Sequence, residues 1–351
     1  MTRILVARMD SMGDVLVCGP AVRALAAGPD VEWLGLLCGP PGEQAARLLP
    51  GPDEVHAWAA PWILATPPPV GRAPVEDLIA WVSDRRVDEA VILTSFHQSP
   101  LPLALLLRLA GVGRIVGVST DYAGSLLDVR LRPGEDLPEN QPETVRALRI
   151  AEAAGHHLPP GDDGRLRIRN PDGAIPGGTG GAVVGPYLVL HPGASAPARA
   201  WPPERCRETV ELLAGRGHRV VVTGGPDETA LTARVAGTQG IDMGGLTDLA
   251  RLADLVAGAS VLICGNTGPA HLAAAVGTPV VSLFSPVVPP ERWAPYGVAH
   301  ELLGDRHAAC AGSRARICPV PGHPCLTSVT AHDVVAAVQR LLRVRQEGVS
   351  R

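Results

Sequence analysis

The chain has 351 residues, enough for two domains with separate cores. Its 31 basic and 35 acidic side chains leave a formal net charge of −4, which excludes a broad basic face for nucleic acid. Aromatic residues are 3% of the total, too few for a base-stacking platform, and no apolar run reaches the ~18 residues of a membrane span.

In chain order, apolar runs at 3–7, 31–37, 90–94 and 114–118 predict strands, and the segments 15–27, 44–49, 75–85, 101–110 and 143–154 predict helices. Residues 59–74 are Pro-rich and read as a surface loop. Residues 159–186 lose apolar periodicity and hold Pro176-Gly177-Gly178-Thr179-Gly180-Gly181, the best linker signal in the chain. Alternation then restarts with a strand at 187–191, a helix at 203–216, a strand at 219–223 and helices at 228–236 and 246–257. Strands at 261–264 and 280–284 and a last helix at 331–343 complete the series. Strand–helix alternation of this kind predicts α/β domains with parallel sheets covered on both faces. The expected division is 1–165, a linker at 166–185, a second domain at 186–330, and a C-terminal helix at 331–351 able to pack back on the first domain.

The richest segment is Val261-Leu-Ile-Cys-Gly-Asn-Thr-Gly-Pro-Ala-His271. An apolar strand runs into Gly265-Asn266-Thr267-Gly268 and then into a small-residue helix. Such a turn offers free backbone N–H groups and the positive end of a helix to an anion, so a phosphate-bearing ligand is expected. His271 would point at that ligand or pack on the helix. Near the N-terminus, a strand leads into Asp10-Ser11-Met12-Gly13-Asp14 and a helix. Asp14 is either a helix cap or a general base, with Asp10 its weaker rival and Gly13 allowing close approach.

Between these lie His191-Pro192-Gly193, then Arg199 just before a helix, and Gly224-Gly225-Pro226-Asp227-Glu228 at a strand end. Arg199 suits an anion at that helix or a plain surface position. Glu228 and Asp227 suit ribose hydroxyls or helix capping. The G-x-G-x-x-G turn of dinucleotide folds is missing, which argues against a nicotinamide dehydrogenase. No Asp-x-Asp motif stands at a strand end, so no metal or other cofactor is expected. Seven cysteines are an odd number, which argues against a disulfide framework. Cys18, Cys38, Cys206 and Cys264 read as buried small hydrophobes. Cys310, Cys318 and Cys325, near His307 and His323, are spaced too widely for a structural zinc site and read as loop packing.

Taken in order, these blocks resemble the bacterial heptosyltransferases, ADP-heptose:lipopolysaccharide glycosyltransferases of the GT-B fold. The likeness runs from residue 3 to Cys325-Leu326. It implies two doubly wound Rossmann-like domains facing a cleft and inverting transfer of a sugar from a nucleoside-diphosphate sugar to a glycan or metabolite hydroxyl; the lack of an export signal or a membrane-length apolar run adds the expectation of a cytoplasmic protein. In that pattern Asp14 matches the general base, with Ser11, Gly13 and Asp10 beside it. Arg199 matches a basic position facing the phosphates, Glu228 the acidic group near the ribose, and Thr267, Gly268 and His271 the donor turn, with His191 and Gly193 nearby. The family usually carries Asp before Thr-Gly. Asn266 keeps that shape without the charge, which leaves the donor sugar open. A nucleotide-sugar epimerase or a non-catalytic nucleotide-sugar binder would use much of the same machinery.

Overall fold

The computed structural model describes residues 1–95, 97–169 and 185–349. It divides into two compact units, Met1–Arg169 and Asn170–Arg351.

The first unit runs β1 (Thr2–Arg8), α1 (Met12–Val17), α2 (Gly19–Ala26), β2 (Val31–Cys38), α3 (Glu43–Leu48), β3 (Glu54–Ala57), α4 (Arg72–Asp84) and β4 (Glu89–Ile92). It continues with α5 (Leu101–Leu109), β5 (Arg114–Val118), β6 (Val129–Leu131) and α6 (Glu143–Ala153). The strands form one parallel sheet in the order β3-β2-β1-β4-β5-β6. Ile4 to Ala7 and the whole of β4 are buried, as strands covered by helices on both faces must be.

The single helix expected at 15–27 is two. It starts earlier, at Met12, and breaks at Cys18-Gly19-Pro20, where Pro20 can sit only in a first turn. Helix α4 likewise begins at Arg72, inside the expected loop, because Pro74 is tolerated in its first turn. Strands β3 and β6 were not expected. They are short and half-buried, and so carry little periodic signal.

After α6 the chain stays on the first unit. Asp162 accepts two hydrogen bonds from the Arg23 guanidinium at 2.6 and 2.9 Å, and the Arg169 amide donates to the Leu48 carbonyl at 2.7 Å. Residues 166–169 of the expected linker therefore pack on the first unit. Its remainder up to residue 184, with Gly177–Gly181, lies outside the described residues.

The second unit runs β7 (Tyr187–His191), α7 (Pro203–Ala214), β8 (Arg219–Val222), α8 (Thr229–Ala236), β9 (Ile241–Asp242), α9 (Leu249–Gly258) and β10 (Leu262–Gly265). It ends with α10 (Gly268–Val276), β11 (Val280–Leu283), α11 (Pro290–Trp293), β12 (His300–Leu303), α12 (Pro324–Thr327) and α13 (Ala331–Val349). Its parallel order is β12-β11-β10-β7-β8-β9. Helix α13 packs on α7, β11 and β12, and Arg340 pairs with Glu301 of β12 at 3.0 Å.

Both sheets reverse direction of winding once, between β1 and β4 and between β7 and β10. Such switch points open crevices beyond the strands' carboxyl ends, where ligands of doubly wound sheets bind. The loops leaving β1, β7 and β10 carry candidate residues at these switch points, and the loop leaving the neighbouring β8 carries Asp227 and Glu228.

Candidate active site

At the first switch point, β1 ends in Arg8, whose side chain is 1% exposed. Its guanidinium contacts Asp10 Oδ2 at 2.9 Å, Asp14 Oδ1 at 3.0 Å and Ser95 Oγ at 2.8 Å, with Glu143 Oε2 at 3.9 Å. Burial alone would disfavour the charge. The surrounding carboxylates outweigh it and hold the Arg8 guanidinium above its ordinary value. Ser11 caps α1, and Asp14, in its first turn, accepts from the Ser11 amide at 3.2 Å and the Ser11 hydroxyl at 2.5 Å. So the cap is Ser11, and Asp14 closes the capping box from the third helical position. Gly13 is buried in the same turn.

Asp10 and Asp14 are not equivalent. Asp10 also accepts from Gln98 and from Ser95 Oγ at 3.1 Å, and burial pushes its carboxyl above the usual range against the pull of Arg8. The Asp14 side chain remains 19% exposed. Of the two, Asp14 is the more exposed to solvent, since the Asp10 side chain is 9% exposed.

At the second switch point, Gly265 ends β10, Thr267 is the N-cap of α10, and Gly268 begins that helix. The Arg199 Nη1 donates to the Asn266 carbonyl at 3.4 Å, bringing a guanidinium to the turn from 67 residues away. The approach is close. A Cβ on Gly265 would stand 2.7 Å from the Arg199 carbonyl oxygen, which is why glycine is required there. The Asn266 amide pairs in both senses with the buried Ser285 peptide, accepting from its N–H and donating to its C=O, each at 3.2 Å. His271 is buried on α10, with Trp293 edge-on at 6.3 Å between ring centroids.

Beside this turn, β7 ends in His191, whose Nδ1 lies 3.0 Å from Thr223 Oγ1 and whose Nε2 lies 3.9 Å from Glu228 Oε2. Burial holds the imidazole below its ordinary value, opposed by Glu228. The Glu228 carboxylate accepts from the Gly225 amide at 2.8 Å and lies directly over Gly193, where a Cβ would stand 1.9 Å from Oε1. His191, Gly193 and Glu228 thus form one surface. Asp227 is exposed on the adjoining 3₁₀ turn.

The structure adds Arg8, Ser95, Gln98, Glu143 and Ser285 to the residues singled out in the sequence. Only Arg8 carried a signal, as a charged residue closing an apolar strand. Cys310 and Cys325 are buried and Cys318 half-buried; burial, then the neighbouring Cys325 and Cys318 thiols, push Cys310 up to about 12. Cys18, Cys38, Cys206 and Cys264 are buried in the cores. Among the described residues no group of three or more His, Cys, Asp or Glu side chains could hold a metal ion. Among the described residues no helix is long and apolar enough to cross a membrane.

The family model for glycosyltransferase family 9 (heptosyltransferase) matches residues 100–323, which include His191, Arg199, Glu228 and the Gly265–Gly268 turn. Lipopolysaccharide heptosyltransferase 1 of Pseudomonas aeruginosa is 28% identical over 75% of this chain and 69% of its own length. Lipopolysaccharide heptosyltransferase 3 of Escherichia coli is 31% identical over 47% of this chain, and the match spans about half of that protein, 49%. In three dimensions the chain is similar to E. coli ADP-heptose LPS heptosyltransferase II. The TM-score is 0.74 at 18% identity, covering 98% of this chain and 100% of that one, a likeness of fold. The chain belongs to glycosyltransferase family 9, the heptosyltransferase family.

Proposed function

We propose that this chain is an inverting glycosyltransferase that moves a heptose or related sugar from a nucleoside-diphosphate sugar to a hydroxyl of a glycan or small-molecule acceptor. The observation that carries the reading is the meeting of Arg199 with the Gly265–Gly268 turn at a sheet switch point. A guanidinium and the N-terminus of α10 together match a diphosphate in charge and in donor geometry. The comparison proteins named for ADP-heptose make that molecule the first donor to test.

In this reading the second unit holds the donor. Arg199 and the Thr267–Gly268 amides take the diphosphate, Glu228 with His191 and Gly193 takes the ribose, and His271 lines the sugar side. As the glycosidic bond breaks, negative charge grows on the departing diphosphate. Fixed donors aimed there lower the barrier, each worth ~3 kcal/mol in comparable sites. The first unit supplies the base. Asp14, ion-paired with Arg8 and still reachable from solvent, takes the proton from the acceptor hydroxyl as it attacks the anomeric carbon from the face opposite the diphosphate. The reading needs no cofactor, and it places the enzyme in the cytoplasm.

Calorimetry with ADP, ADP-heptose and a panel of other nucleoside diphosphates and their sugars tests the donor half. Binding of one nucleotide, weakened in Glu228→Ala and Arg199→Ala, supports it. Conversion of the donor sugar to its epimer without any acceptor would replace transfer by epimerisation.

A further inference from the structure

Asn266 stands just beyond the end of β10, and its surroundings give its side chain a structural task. β10 and β11 pair as a parallel ladder as far as Gly265 and Leu283. At Asn266 the backbone leaves the sheet to form the turn ahead of α10, so it can no longer pair with the strand beside it. Ser285, two residues beyond the end of β11, is fully buried and must still satisfy its N–H and C=O. The Asn266 side chain does this for both groups, at 3.2 Å each. It acts as one more rung of the ladder.

A two-way pairing of this kind needs a donor and an acceptor on one planar group, which a primary amide has and a carboxylate lacks. It also fixes which end of the amide is oxygen, since the reverse orientation would set N–H against N–H and C=O against C=O. Asn266 is 95% buried, and each end of its amide makes one hydrogen bond to Ser285. Its own carbonyl accepts from Arg199. One residue therefore ties the turn to the β11 loop through its side chain and to the Arg199 loop through its backbone.

We infer that Asn266 is a positioning residue that aligns the Thr267–Gly268 amides and Arg199 for the donor diphosphate, and that it makes no contact with the donor sugar. This rests on the diphosphate-turn reading above. A sugar-contacting residue and a positioning residue differ in what their loss removes. The first lowers affinity for the nucleotide sugar alone; the second lowers affinity for the nucleotide and the nucleotide sugar by the same factor.

The test is calorimetry of the full chain with ADP and with ADP-heptose, for wild type, Asn266→Ala and Asn266→Asp. Melting curves confirm that each variant is folded at the titration temperature. Asn266→Ala should bind both ligands about tenfold more weakly, the size of effect expected from leaving buried polar groups unpaired. Asn266→Asp should be weaker again, because its carboxylate faces the Ser285 carbonyl and adds negative charge beside the diphosphate. Should Asn266→Asp fail to fold, the Ala variant, which brings no charge into the core, carries the same comparison. Unchanged ADP affinity in Asn266→Ala, with or without a loss for ADP-heptose, overturns the inference, as does an Asp variant that binds ADP-heptose as well as wild type. Wild type that binds neither ligand would instead sink the donor reading itself, and this inference with it.

Discussion

Arg8 Nη2 stands 3.0 Å from Asp14 Oδ1, and the same guanidinium reaches Asp10, Ser95 and Glu143. A single buried cation at the end of β1 therefore sets the position of the carboxylate proposed as the base. The rest of the first-unit site is arranged around that pair.

Asp14→Asn should keep the donor's affinity and lose about 10²- to 10⁴-fold in turnover, the usual contribution of a general base. Asn can still accept from the Ser11 amide but withdraws one carboxylate from the buried Arg8, so the melting temperature should fall while the protein stays folded. Turnover close to wild type, with donor binding intact, would remove Asp14 from the mechanism and make Asp10 the next residue to replace.

Arg8→Met tests the cation. It leaves Asp10, Asp14 and Glu143 buried or half-buried without their shared partner, and breaking a buried pair in this way costs about 3–5 kcal/mol. A large drop in the urea midpoint is expected. Arg8→Lys should recover only part of it, because one ammonium cannot reach the same partners as a planar guanidinium. A midpoint equal to wild type in both variants would mean that the network contributes nothing to stability.

Arg199→Ala should weaken nucleotide binding by roughly 1.5–3 kcal/mol, the range for hydrogen bonds to charged groups. Calorimetry reads this directly. Equal affinities would make Arg199 a brace for the Asn266 carbonyl and no more.

Gly193→Ala tests the ribose surface without touching a polar atom. The new methyl would stand 1.9 Å from Glu228 Oε1, so the carboxylate must move. Nucleotide affinity should fall in this variant about as far as in Glu228→Ala. A Gly193→Ala protein that binds like wild type would show that Glu228 has room to shift and does not hold the ligand.

A pH test addresses where the first unit ends. Hydrogen bonds from Arg23, working against burial, hold the Asp162 carboxyl down to about 2, below its ordinary 3.8. A carboxyl lowered by folding stabilises the folded state above the unfolded value, and this contribution disappears as pH falls from about 4 towards 2. Asp162→Asn should therefore melt below wild type at pH 6, and the gap should close as the two are compared down to pH 2.5. A gap that is constant with pH would mean that the Arg23 contact contributes no charge-dependent stability.

Much of the architecture was legible because its signals are local. Apolar runs of four to seven residues, glycine turns and the small-residue helix after Gly268 announce themselves within a dozen positions. The Gly265–Gly268 turn and the Asp10–Asp14 loop were found on that basis. The break at Cys18-Gly19-Pro20 was missed because apolar periodicity continues across it, and β3, β6, β9 and β12 were missed because short edge strands carry few alternations.

What the sequence determined by itself is the succession of strands and helices and the loops in which polar groups could gather. The tertiary structure decided the partners. Arg8 meets Ser95 across 87 residues, Arg199 meets Asn266 across 67, and Asn266 spends its amide on Ser285 and not on the open face of the turn. Strand order, and with it the switch points, comes from packing whole strands side by side. The free energy of such contacts depends on residues far apart in the chain, so no local pattern records it.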